Sequence, residues 1–327
     1  MSKAITVASC KFVHTVDIDP DATRARGDKW EGLVNICVQA AQDALDTPPA
    51  GYTPTQRNSL TDLFGSMKAT HHGIRTLLAL GDGDPASVDA LVLARLQLEG
   101  LYTICLLTEG AEHVTRFVAE AWKRQYVGWM LIREETKSLS RLTEANAKEQ
   151  ARLIALAQIW GISDEQRITI ELQELEAEVP PGFVRQPIKP FPTPGQLISE
   201  IAEGPKKRML ERLYPEYQEL CAYAHGRPVA GFGKGIFDDR SPSRRDFLAF
   251  HEGTDIHDRF SRSVVAPAQL FSLASIAQAT AELTTLYPAS IELRSTATRA
   301  WNELHNAQLL MNAIWSIRTK SLLGALG

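Results

Sequence analysis

Arg95 and Glu99 lie four positions apart inside the most apolar stretch of the chain, Val88 to Leu107. On a helix that spacing sets both side chains on one face, where opposite charges attract. A charge on a buried helix is costly unless it is paired or faces a cavity. The pair therefore has two readings: an ion pair that fixes helix register, or one wall of a polar pocket. A second group lies in Tyr217-Gln218-Glu219-Leu220-Cys221-Ala222-Tyr223-Ala224-His225, which carries Tyr217, Cys221 and His225 on successive turns of one helical face. His225 precedes Gly226 at a helix end, where the helix dipole favours an imidazolium; this suits a plain C-cap as well as a proton shuttle. Together, Arg95, Glu99, Tyr217 and His225 suggest a pocket for an anionic or nucleotide-like ligand.

A third group overlaps a charged segment. Arg245 is followed by Asp246 and, six positions on, by His251. His251, Glu252, Asp255, His257 and Asp258 have the composition of a divalent-metal site and equally that of a solvated charged helix entry. His257-Asp258 is similar to the start of the HD phosphohydrolase pattern, but that pattern needs a later aspartate and none follows Asp258. A metal-dependent phosphohydrolase is thereby disfavoured, and the expectation is neither a bound metal nor a cofactor. Gly231-Phe232-Gly233-Lys234-Gly235 lacks the Ser or Thr that a phosphate-binding P-loop places after its lysine, and no strand pattern precedes it. With Arg227, Arg240, Arg244 and Arg245 nearby, that loop is the most basic patch and the place where RNA or a phosphate would touch. His71 falls on an inward helical stripe, as a core histidine does, with His72 beside it on the outside.

The elements that must position these groups are helices. Trp30, Leu33, Val34, Cys37, Val38, Ala41 and Leu45 recur at three and four, ended by Pro48-Pro49. Thr53-Pro54 opens a second helix that buries Leu60, Leu63, Phe64, Met67, His71, Ile74, Leu77 and Leu78. Pro85 to Thr108 is apolar on nearly every side, the mark of a helix running through the middle of a bundle. A further amphipathic helix runs from Glu109 past Arg133, with Trp122 and Trp129 inward. Lys137 to Ala151 reads as an exposed helix; Ile154, Leu156, Ala157 and Ile159 resume the core pattern, and Ser163 to Ala177 is a short helix with an acidic start. Val179 to Gly195 holds six prolines, which exclude regular helix and predict an extended connector. That connector divides a first half, residues 1–178, from a second, 196–327, packed on it. Leu197 to Tyr223 is predicted helical, as are Ala266 to Leu286 and Ala289 to Leu323. Only residues 4–18 alternate as a strand would. The fold class is all-α, a multi-helix bundle.

The chain has 327 residues, a formal net charge of −4 and 44% hydrophobic residues, enough to bury a substantial core and too acidic to draw in nucleic acid by a global positive field. Four cysteines without a CxxC pair read as reduced, buried small hydrophobes, and no hydrophobic leader opens the chain, so a cytoplasmic protein is expected. Asp89, Arg95, Gln97 and Glu99 make the apolar stretch too polar for a lipid-facing span, and no membrane association is expected.

The run Arg95-Leu96-Gln97-Leu98-Glu99, with Tyr214 to Tyr223 and then Ala224-His225-Gly226 far downstream, resembles an uncharacterised bacterial all-helical family that is itself similar to HEPN-type bundles. The resemblance covers roughly residues 54 to 230. It implies a HEPN-like bundle, a role in bacterial stress or phage defence, and a homodimer. HEPN proteins include metal-independent RNases whose signature is Arg, then a polar residue, then His after four to six positions. Arg245, Asp246 and His251 match it, whereas Arg299 to His305 has Ala300 at the polar position. Two expectations of different class result: a binding or interaction protein with the Arg95, Glu99, Tyr217 and His225 pocket, and an endoribonuclease with Arg245 and His251 as catalytic residues.

Overall fold

A computed structural model describes residues 20–79, 89–175, 178, 181–224 and 256–307. Among these residues there are ten α-helices and no strand, an all-α multi-helix bundle. In chain order they are α1 (Pro20–Ala44), α2 (Pro54–Ala79), α3 (Asp89–Leu107), α4 (Ala111–Thr136), α5 (Thr143–Ile159), α6 (Asp164–Glu174), α7 (Pro194–Glu200), α8 (Pro205–Ala224), α9 (Ile256–Leu283) and α10 (Ile291–Ala307), with a 3-10 turn at Ser140–Leu142. The alternating segment 4–18, the residues beyond Ala307 and the glycine-rich basic loop all fall outside the described residues.

Local sequence accounts for several helix starts. Thr53, Ser163 and Thr193 each stand three residues before a glutamine. The Thr53 and Ser163 N–H groups donate to Gln56 Oε1 (2.7 Å) and Gln166 Oε1 (3.1 Å), while the glutamine N–H groups donate back to the hydroxyls at 3.2 Å. These are reciprocal capping boxes, which satisfy two orphan donors at a helix N-terminus. At α7 the Thr193 N–H likewise donates to Gln196 Oε1, and Pro194 occupies the first helical position, where its missing N–H costs nothing.

The larger apolar core joins α1, α2, α3, α7, α8, α9 and α10. Helix α3 packs against α2, α9, α8, α7 and α4, so the helices after the connector close around one that precedes it. At Gly100 a Cβ would stand 3.0 Å from Met67 Cγ, so the glycine sets how closely α2 approaches α3. Two expectations need refinement, one of burial and one of helix extent. Helix α3 is not enclosed all round: Val92, Arg95, Leu96, Glu99 and Thr103 form one stripe at helical spacing that stays partly or fully exposed. The helix sealed on every face is α9, in which every residue from Ala268 to Leu283 is buried. Leu197 to Tyr223 is two helices, not one, because Gly204-Pro205 starts a new turn after α7 ends at Glu200.

A smaller apolar cluster lies on the second half of α4 with α5, α6 and the connector: Trp122, Tyr126, Trp129, Leu153, Ala157, Ile162, Ile170 and Ile188. Here Leu153 and Ala157 face inward, while Ile159, expected in the core, is turned out to solvent at the end of α5. Residues 183–193 form no helix or strand, as the prolines require, yet they are more than a linker: Ile188 is buried in the small cluster, and Phe191 packs edge-on against Phe117 (centroids 5.1 Å apart).

Candidate functional site

Three of the four expected pocket residues meet. Helix α3 presents Arg95 and Glu99 on its exposed stripe, and α8 crosses it so that Tyr217, 118 residues later, donates its hydroxyl to Glu99 Oε1 at 2.7 Å. Arg95 Nη2 donates to the same oxygen at 2.6 Å, and its guanidinium lies 5.8 Å from the Tyr217 ring centroid. Tyr217 is held by neighbouring rings, tilted against Tyr102 (5.9 Å) and stacked with Tyr214 (6.0 Å). Tyr102 is anchored in turn by its hydroxyl donating to the Leu210 carbonyl at 2.7 Å. His225, the fourth residue, follows Ala224 and lies outside the described residues.

The electrostatics follow from this geometry. Burial, hydrogen bonding with Cys221 and the adjacent Glu99 carboxylate all push the Tyr217 phenol upward, so it stays protonated and remains a donor. Burial pulls the Arg95 guanidinium down, but Tyr217 and Glu99 outweigh it and hold the group firmly charged. The cluster is not sealed: the side chains of Arg95 and Glu99 are 21% and 30% exposed. Arg95 Nε has no hydrogen-bond partner. That nitrogen is itself buried, so what the surface offers an anion is the part-exposed remainder of the guanidinium, set beside an aromatic face.

The residues of the endoribonuclease expectation, Arg245 and His251, lie outside the described residues, as does the acidic and histidine cluster up to Asp255. Among the described residues no group of three or more His, Cys, Asp or Glu side chains is placed to hold a metal ion.

Two constellations escaped sequence reasoning because their members come from distant helices. In the first, His71 Nδ1 and Ser272 Oγ are 2.7 Å apart, Gln97 Nε2 donates to Ser272 Oγ at 2.9 Å, and His71 Nε2 lies 3.8 Å from Glu31 Oε2. Facing a carboxylate, Nε2 is the nitrogen that keeps the proton, so Nδ1 accepts from the serine. The order Ser, His, Glu is that of a hydrolytic triad, but Ser272 is 0% and His71 1% exposed. The serine is sealed where no substrate reaches it, and the network is a polar knot between α2, α3 and α9. Its inward histidine matches the stripe read from sequence, and His72 is on the outside.

In the second, Lys206 at the start of α8 places Nζ 3.1 Å from both the Cys105 carbonyl and Thr108 Oγ1, 2.5 Å from Glu109 Oε1 and 3.2 Å from Glu282 Oε2. Burial lowers the Lys206 ammonium, yet Glu282 and Glu109 more than restore it, so it sits above the usual lysine value. A cation at the C-terminal carbonyls of α3 also answers that helix's dipole.

Cys37 and Cys105 are buried and free, and burial pushes the Cys37 thiol up to about 12, which makes it inert as a nucleophile. Helix α3 has the length and apolarity of a membrane-crossing segment, but 67% of it is buried against its neighbours. Comparison of the chain with protein-family models, with curated proteins and with solved structures brings no match in any of the three.

Proposed function

We propose that this chain is a non-catalytic helical binding protein whose ligand site is the α3/α8 face, where Arg95, Glu99 and Tyr217 receive an anionic, nucleotide-like molecule. One observation carries the reading: two helices far apart in sequence converge to hold a charged arginine beside a tyrosine ring, with the Arg95 and Glu99 side chains part-exposed. In this reading Glu99 orients the guanidinium and the phenol rather than contacting the ligand's charge. Arg95 takes the phosphate or carboxylate, and the half-buried Tyr214 ring, backed by the buried Tyr217, offers a surface for a flat base.

The test is calorimetric titration with AMP of the wild type, Arg95→Met and Tyr217→Phe, each checked by thermal melting. Binding by the wild type, weakened about tenfold or more in Arg95→Met as expected for a charge-assisted hydrogen bond, would support the site. No saturable AMP binding, or equal binding in Arg95→Met with its fold intact, would overturn it.

A further inference from the structure

A second cleft lies away from the α3/α8 face, between the first turns of α4, the turn joining α5 to α6, and the segment 183–193. Its volume is about 470 Å³, within the range of small-molecule sites. The floor belongs to the small apolar cluster: Ala119, Ile162 and Ile188, with the Trp160 indole at one side. The rim is polar, carrying His113 and Lys189. Lys189 is exposed and has no ion-pair partner among the described residues.

The walls are locked before any ligand arrives. Arg116 is spent on holding them: Nη1 donates to both oxygens of Glu200 at 3.0 and 2.8 Å, and Nε donates to the Pro190 carbonyl at 2.8 Å. The α5–α6 turn is set by Gly161, whose φ of +70° is the left-handed conformation that glycine adopts without strain, and by the Ser163–Gln166 capping box. The Gln186 N–H donates to Thr169 Oγ1 at 2.9 Å, tying segment 183–193 to α6. A concave site so braced loses little freedom on binding.

We infer that this cleft binds a small amphipathic anion, with its aromatic or short alkyl body against Trp160, Ile162 and Ile188 and its acid group toward Lys189 and His113. One group opposes an incoming anion. The Glu112 carboxylate, also on the lining, stands 3.6 Å from His113 Nε2, but its side chain is 76% exposed and can swing into water as the ligand's acid takes its place. The acid group is thus recognised by the Lys189 ammonium and by the imidazole that Glu112 now faces, and removing that carboxylate strengthens the site.

The probe is 2-naphthoate, titrated calorimetrically into the full chain alongside its neutral analogue 2-naphthamide. Saturable binding of the acid at one site, tighter than the amide, is expected. Lys189→Glu, on an exposed residue that leaves melting unchanged, should weaken the acid about fivefold, and Glu112→Gln should tighten it about twofold, the scale of rim charges. Trp160→Ala should weaken acid and amide alike. Absence of saturable 2-naphthoate binding at millimolar concentration, equal affinity for acid and amide, or an unchanged affinity in Lys189→Glu would overturn the inference. Binding lost in Arg95→Met but kept in Lys189→Glu would also overturn it, since that signal belongs to the α3/α8 face. Failure of AMP binding leaves this result untouched, as the two sites share no residue.

Discussion

His71 shows how one buried side chain sets a response of the whole protein. Burial outweighs the nearby Glu31 carboxylate and lowers the imidazole from the usual 6.5 to about 4, with Arg75 and His72 pushing the same way. The unfolded chain takes up this proton near pH 6.5, whereas the folded protein refuses it down to about pH 4. Between those values the unfolded state binds more protons, so stability is full above pH 6.5 and falls as the pH drops toward 4. The loss from this group is about 3 kcal/mol, at 1.36 kcal/mol per pH unit of difference. Urea unfolding at a series of pH values should show that decline in the wild type and its absence in His71→Gln, whatever the variant's stability at pH 7. An identical pH slope in both would show that His71 is already protonated, or solvated, in the native state. Tyr217 makes a quieter prediction: Tyr217→Phe removes one hydrogen bond to Glu99 at the edge of the core. It should cost about 1 kcal/mol in chemical denaturation.

At the scale of elements, the junction of α3, α8 and α9 rests on Lys206. It caps the last turn of α3 and neutralises Glu282, which is 0% exposed on the sealed helix α9 and also accepts from Gln278 Nε2 at 2.8 Å. Lys206→Met keeps the stem and removes the charge, taking the Lys206 ammonium away from the buried Glu282 carboxylate. The expected cost is about 3–5 kcal/mol, with part recovered in the double variant Lys206→Met, Glu282→Gln, because losing one partner of a buried pair is worse than losing both charges. Equal stability of the single and double variants would mean that Glu282 is not ionised in the fold. This lysine stood in the sequence as an ordinary basic residue near a helix start, and nothing local distinguishes it from Lys207 beside it. Its role arises from where α8 enters relative to the ends of two other helices.

For the molecule as a whole, the two apolar clusters predict unequal stability. Helices α5 and α6 pack on α4, whereas α2, α8 and α9 converge on α3. Leu153→Ala, in the small cluster, should cost about 3 kcal/mol. Hydrogen exchange should show faster amide exchange in α5 and α6 with protection of α3 and α9 unchanged; uniform loss across the chain would mean one cooperative unit.

The sequence by itself determined the helical character, the limits of the second, fourth and sixth helices to within a few residues, the absence of helix through the proline segment and the inward faces of the second and fourth helices. These are written in three- and four-residue apolar spacing, capping residues and prolines, all of which act within a few positions. It also brought Arg95 and Glu99 to one face, because four residues make about one turn. Only the tertiary structure decided that Tyr217 completes that pair, that α9 rather than α3 is sealed on every side, and that Ser272, Gln97 and His71 share one buried network. It decided as well that Ile159, apolar and in phase, faces water. Each of these depends on which helix crosses which and at what register, and that is settled by packing between segments a hundred or more residues apart. Periodicity tells a helix which face to bury; it does not tell it against whom.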